Sequence, residues 1–459
     1  MNLRLIKTIA LALAVILAAA AFCSCKLTPG PDEGAEVTAA PTTTKAPDPE
    51  FSGMQVVMSS NGNDITLYDF GQSYYNSRNY QYYMYGMISP EQFCDSVIEE
   101  LSSLLYMLDA ADESGIKLTD EESQEIYDLI DTQLEDLLKH YEERVEEGVE
   151  DKRAEAIKIL EQDLAQDGID YDSFLDLAKR NMLMYKLADK YYTGLHDGIE
   201  ITEDDVKSYI TAQRLDSMDL SMSDFVEAVS AFNEGSGAYP VVIPDDCFSV
   251  NHIYLGFDTT TDDEGIARTD TESRKEDEAK LEALFSETED FDAFMELEKE
   301  YGEDPGMDSE RFREFGYIIH PDLNSDYFPG FVYASMNLHD GSWTPTVDLE
   351  NGEDTDTGVR ELNFFKLKDG TDIVKVYTDS GVHYIIVNKE YKKGAVDYEV
   401  GDIYWESWAD ALKEEKMQEL YQQLMEEWKT KYTIDIDETT IKAKYVPDRS
   451  DSGDDGSNE

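Results

Sequence analysis

Two hydrophobic periods alternate along the chain. From about residue 54 to 234, apolar residues recur every three or four positions, which predicts helices. Val97, Ile98, Leu101, Leu104, Leu105 and Leu108 form one such stripe. Thr66-x-x-Asp69, Ser89-Pro90-Glu91-Gln92, Thr119-x-x-Glu122 and Thr202-x-x-Asp205 have the form of helix starts. In each, a hydroxyl can take the backbone N–H three residues on, while the later side chain takes the first one back. Gly115 and Gly168 mark breaks between helices. Residues 233–246, rich in Gly and Pro, read as a linker, and beyond them the period changes. F-S-V-N-H-I-Y-L, from Phe248 to Leu255, alternates as a strand does. Residues 273–301 return to helical spacing, with Leu281, Leu284, Phe291, Phe294 and Met295 apolar. A short apolar helix is expected near 328–338 and a strand at 382–388. From 403 to 430 one helical face carries Trp405, Trp408, Leu412, Leu420, Leu424 and Trp428. So long an amphipathic helix needs a surface to bury that face, and the N-terminal helices are the expected one. The fold class is α+β, with a helical body built from both ends of the chain.

The two ends change this picture. Arg4 and Lys7 precede the apolar run I-A-L-A-L-A-V-I-L-A-A-A-A and then Phe22-Cys23-Ser24-Cys25, the layout of a secretory signal over residues 1–24. The run is short for a membrane span. Ser24-Cys25 resembles the end of a bacterial lipoprotein signal, which makes Cys25 the expected lipidation site and places the protein outside the cytoplasm, lipid-anchored to the bacterial cell membrane. Residues 25–53, with five prolines and a Thr run, read as a disordered tether. Residues 447–459 read as an acidic disordered tail.

The chain has 101 acidic and 38 basic side chains, a formal net charge of −63. That sign excludes nucleic acid as an expected partner; it either favours basic or unfolded cationic clients or serves solubility alone. Cys94 and Cys247, beyond the signal, either pair or stay as separate buried thiols. No zinc spacing, H-E-x-x-H, Walker loop, G-x-S-x-G elbow or dinucleotide fingerprint occurs, so neither a metal nor a cofactor is expected.

Candidate chemistry lies between 247 and 392. In order come Asn251-His252-Ile253-Tyr254-Leu255, Tyr301-Gly302-Glu303-Asp304-Pro305, Phe315-Gly316-Tyr317, Tyr327-Phe328-Pro329-Gly330-Phe331, Met336-Asn337-Leu338-His339-Asp340-Gly341 and Asp379-Ser380-Gly381-Val382-His383-Tyr384-Ile385-Ile386. This order resembles the parvulin family of peptidyl-prolyl isomerases. Pro329, Phe331, Ala334, Met336, Leu338 and Gly341 match that family's proline-binding helix in register. The flanks resemble PrsA-type secretion foldases, and in plan the SurA-type chaperones.

The resemblance implies a small antiparallel sheet flanked by helices at 247–392, carried by a chaperone-like helical region at 54–240 and a closing helix at 393–446. It implies His252, Asp304, Ser380 and His383 as the polar active-site set. Phe315, Tyr327, Phe331 and Met336 would form the slot for the proline ring. Clients would be unfolded secreted chains with X–Pro bonds, and a dimer is possible. Taken singly, each histidine reads as a satisfied core residue and Asp304 as a turn residue. The sequence also departs from the family. The Gly-Gly before Phe315-Gly316 is missing, Tyr327 stands where Met is usual, and 346–372 reads as an insertion. Two other functions stay open: a non-enzymatic holdase with a degenerate isomerase domain, and a surface lipoprotein that binds an envelope ligand.

Overall fold

A computed structural model describes residues 51–77, 80, 87–146, 148–261, 267–321, 329–341 and 362–446. The signal, Cys25, nearly all of the tether, the acidic tail and Tyr327 lie outside the described residues. The described part mixes helices with small antiparallel sheets and divides into two compact units. Unit 1 takes residues up to Ile199 and from Lys416 on; unit 2 is Glu200–Glu415.

Unit 1 opens on a hairpin, β1 (Val56–Ser60) and β2 (Asn63–Thr66), where a helical pattern was expected. Asn61 and Gly62, both at positive φ (47° and 84°), make its two-residue turn, and Asn-Gly is the pair such a turn prefers. Helices α1 (Leu67–Asn76), α2 (Pro90–Glu113), α3 (Asp120–Glu143), α4 (Lys152–Ala165) and α5 (Tyr171–Asp197) follow. Thr66, Ser89 and Thr119 form capping boxes as their spacing predicts, each contributing on the order of 1 kcal/mol to a helix start. Val97, Leu101, Leu104, Leu105 and Leu108 are buried against Phe70, Tyr74 and Phe93, with Ile98 partly buried beside them. A second cluster joins Tyr141, Leu160, Phe174 and Leu177.

Unit 2 begins with helices α6 (Glu203–Asp216) and α7 (Met222–Asn233), which the sequence pattern had grouped with the N-terminal helices. Thr202 caps α6 with Asp205, as its spacing predicts. A short ladder of β3 (Val242–Ile243) with β11 (Gly394–Ala395) follows. The main sheet has five antiparallel strands in the order β7-β4-β10-β9-β8. Its strands are β4 (Cys247–Gly256), β7 (Tyr317–Ile319), β8 (Asn363–Lys366), β9 (Asp372–Tyr377) and β10 (Gly381–Tyr391). A separate hairpin, β5 (Asp258–Thr261) and β6 (Ala267–Asp270), leads into α8 (Lys275–Phe285) and α9 (Phe291–Tyr301). A short helix α10 (Glu310–Phe315) precedes β7, and α11 (Pro329–His339) stands where the apolar helix was expected. The stretch read as an insertion contains β8, which adds an edge strand beside β9.

Strand alternation gives this sheet two different faces. On one, Ile253, Leu255, Val382, Tyr384, Ile386 and Ile373 pack with Leu281, Phe285, Phe294 and Met295 of α8 and α9. On the other, Phe248, Val250, Ile385, Val374 and Val376 pack with Phe331, Val332, Ala334 and Met336 of α11. His252 and His383 belong to this second face, because 252 shares the side of 250 and 383 the side of 385.

Helix α12 (Ile403–Lys431) departs from the expected single partner. Trp405, Trp408 and Leu412 join Phe225, Phe232, Tyr239 and Phe315 in unit 2. Met425 and Trp428 join Ala110, Ala111 and Tyr191 in unit 1. Unit 1 then closes with β12 (Asp435–Ile436), antiparallel to β1, and α13 (Glu438–Tyr445). Cys94 and Cys247 are free and buried, in the cores of units 1 and 2 respectively. No helix among the described residues is long and apolar enough to cross a membrane.

Candidate functional site

The site is built on the central strand pair. β4 and β10 run antiparallel with His383 opposite Tyr254 and Ile385 opposite His252. Opposed residues share a sheet face, so the two histidines lie diagonally on one side. Their Nδ1 atoms stand 3.2 Å apart, and their rings are 5.1 Å apart between centroids. Both are nearly sealed from water, at 6% and 4% exposure. Two residues that each read alone as core histidines are therefore one pair, separated by 131 positions of sequence.

Asp304 closes one end of the pair. Its Oδ2 lies 2.7 Å from His252 Nε2 and also accepts the Tyr317 hydroxyl at 2.7 Å. Its Oδ1 accepts the Gly306 backbone N–H at 3.0 Å. Burial alone would raise this carboxyl. The hydrogen bond and charge of His252, the Tyr317 hydroxyl and the Gly306 amide outweigh burial and hold it down at about 2. It is thus a carboxylate at neutral pH. The turn that carries it is tied to β4: Glu303 N–H donates to Tyr254 O, and the Gly256 N–H donates to Glu303 Oε2 at 2.8 Å. Arg274 holds both Glu303 oxygens, at 2.8 and 2.9 Å.

Thr378 closes the other end. Its Oγ1 is 3.2 Å from His383 Nε2 and 3.1 Å from Ser380 Oγ. Ser380 therefore reaches the histidines through Thr378. Its carbonyl accepts the Tyr254 hydroxyl at 2.9 Å, which brings the Tyr254 ring to 4.8 Å from His383. Burial pushes His383 well below its ordinary value; the neighbouring His252 adds to the effect and Asp304 opposes it. His383 is neutral and carries one proton.

Since the close contact joins two Nδ1 atoms, one proton, and one only, sits between them. Either His383 donates to a neutral His252, or a protonated His252 donates to His383. In both arrangements His252 Nε2 donates to Asp304. The series Asp304–His252–His383–Thr378 can thus place a charge on His252 when a proton taken up at His383 Nε2, beside Thr378, pushes the shared Nδ1 proton across to His252, without any side chain moving.

An apolar wall stands beside these groups. The Phe331 ring meets His252 edge to face at 5.0 Å and His383 at 5.3 Å. The Tyr317 ring lies 5.4 Å from His252 and 6.3 Å from Phe331. Met336 sits in the same buried cluster as Phe331.

Phe315 is placed elsewhere and is corrected as a slot residue. It packs in a third cluster of unit 2, with its ring 5.2 Å from Phe232 and 5.8 Å from Tyr404. The cause is Gly316. Its φ of 70° turns the chain between helix and strand, and a Cβ there would meet Val250 O at 2.7 Å. Phe315 stays with the helix side, and the next strand residue, Tyr317, falls opposite Val250 on the histidine face. Sequence reading missed Tyr317 and Thr378. Counting alternate positions from Gly316 would have found the first, and the tight turn before His383 would have pointed to the second.

Among the described residues no cluster of three or more His, Cys, Asp or Glu side chains could hold a metal ion. No model of a known protein family matches the chain, and no curated protein matches it either.

Proposed function

We propose that this protein is an extracytoplasmic foldase of the parvulin type, anchored through a lipid on Cys25, which isomerises X–Pro bonds in unfolded secreted chains and holds those chains with its helical unit. The observation that carries the reading is the series Asp304–His252–His383–Thr378 on adjacent strands beside the Phe331 ring.

Rotation about an X–Pro bond takes tens to hundreds of seconds unaided. No covalent bond to the client is needed to speed it. A catalyst has to bind the twisted amide better than the planar one. Twisting removes the resonance that flattens the bond and moves charge within the amide. An apolar wall such as Phe331 suits the proline ring. A carboxylate and a histidine pair that shares one movable proton suit a changing charge beside it. Asp304, at 18% side-chain exposure, is the more accessible member of the pair it forms with His252.

The test is isomerisation of a proline tetrapeptide by the chain lacking residues 1–25. Catalysis is expected, and Asp304→Ala should lower kcat/KM by roughly a hundredfold. A wild-type rate equal to the uncatalysed one sinks the isomerase reading. One observation favours a second reading: Asp304 already accepts three donors within the fold, as a purely structural carboxylate would. In that case the protein is a holdase without turnover, and it would suppress client aggregation in light scattering while leaving the tetrapeptide rate unchanged.

A further inference from the structure

We infer that Tyr317 is a positioning residue that acts through Asp304: its hydroxyl sets the orientation of the carboxylate and, with it, where the proton rests on His252. The inference rests on the site reading above but makes a separate claim, because nothing in the sequence resemblance gives Tyr317 a role.

The geometry is specific. Asp304 Oδ2 takes two donors, His252 Nε2 and the Tyr317 hydroxyl, each at 2.7 Å. Oδ1 takes the Gly306 N–H. Three donors hold the carboxylate, and of them only the tyrosine's can be removed without touching the histidine or the backbone. A hydrogen bond to the charged form stabilises it. With the hydroxyl in place the carboxylate has less hold on the His252 proton; without it, Oδ2 draws that proton closer and the histidine pair shifts with it.

Two further observations show that the fold makes room for this contact. A Cβ on Gly306 would collide with the Tyr317 hydroxyl, so the turn Asp304-Pro305-Gly306 admits the hydroxyl only because residue 306 is glycine. The Tyr317 ring is fixed independently, 5.1 Å from Phe312 and 5.4 Å from His252, and it sits on β7 opposite Val250. Removing the oxygen leaves that packing intact, so Tyr317→Phe isolates the hydroxyl. Gly306→Ala isolates it from the other side, by displacing the oxygen while keeping the backbone N–H that Asp304 Oδ1 accepts.

The experiment uses the chain lacking residues 1–25 and has two arms. In the first, Tyr317→Phe and Gly306→Ala are each expected to lower kcat for a proline tetrapeptide by about tenfold, the scale of one hydrogen bond to a charged group, with KM held within about twofold. Acting through Asp304, Tyr317→Phe should cause no further loss in an Asp304→Ala background. In the second arm, ¹⁵N resonances of the His252 ring should move in both variants and report the new proton position. An effect that adds to that of Asp304→Ala, or His252 resonances unchanged in both variants, overturns the inference. If the wild type shows no isomerisation, the foldase reading fails, and the His252 resonances alone decide the role of Tyr317.

Discussion

At the scale of single residues, acid sensitivity is written into the histidine pair. His383 is held neutral by burial and by His252, well below its ordinary 6.5. The unfolded chain takes up a proton there as pH falls through 6.5 and the fold refuses it, so stability declines with falling pH from that point. Asp304 acts in the same direction at lower pH. Its carboxyl is depressed from 3.8 to about 2, so its contribution is complete above 3.8 and is lost as pH falls toward about 2. Urea midpoints measured from pH 4 to 8, a range chosen around these ordinary values, should therefore rise with pH, most steeply below 6.5. His383→Gln should flatten the rise, and an identical slope in that variant would show that the pair does not set it. Buried charge elsewhere is paired in another way: Lys375, on the opposite sheet face, meets Glu278 at 2.5 Å and Glu282 at 2.6 Å, which raises its ammonium.

At the scale of elements, Gly316 is the joint between the Phe232 cluster of unit 2 and the histidine face of its sheet. Gly316→Ala would place a non-glycine residue at a φ of 70° and a methyl group 2.7 Å from Val250 O. A loss of about 1–3 kcal/mol is expected, read as a lower thermal midpoint, together with a disturbed Tyr317–Asp304 contact; a variant as stable as wild type would remove the joint from this role. The same joint explains what the sequence could and could not show. β4, β10 and α11 were legible because alternation and helical spacing are local patterns, and the four capping boxes because each spans only four residues. Phe315 lies away from the histidine face and Tyr317 on it because the left-handed Gly316 stands between them, which no local pattern reveals. The first hairpin was missed because its strands are four and five residues long, too short for a period to stand out, although Asn61-Gly62 marks its turn. The histidine pair was legible only as an ordered set of motifs, since no local rule brings residues 252 and 383 together.

At the scale of the whole molecule, charge is the dominant feature. A formal net charge of −63 opposes compaction by self-repulsion. The thermal midpoint should rise as NaCl is raised from about 0.01 to about 0.5 M, because the screening length shrinks across that range. A flat profile would mean that local ion pairs such as Arg180 with Asp69 already absorb the repulsion.

Helix α12 and the short elements after it have a consequence for how the protein is made. Trp405 and Trp408 complete one core, Trp428 a cluster of the other unit, and Ile441 and Tyr445 seal the cluster around β1 and α2. These three clusters are complete only once the chain beyond Trp405 has been made. The sheet clusters of unit 2 and the one around Tyr141 draw nothing from that stretch and can close ahead of it.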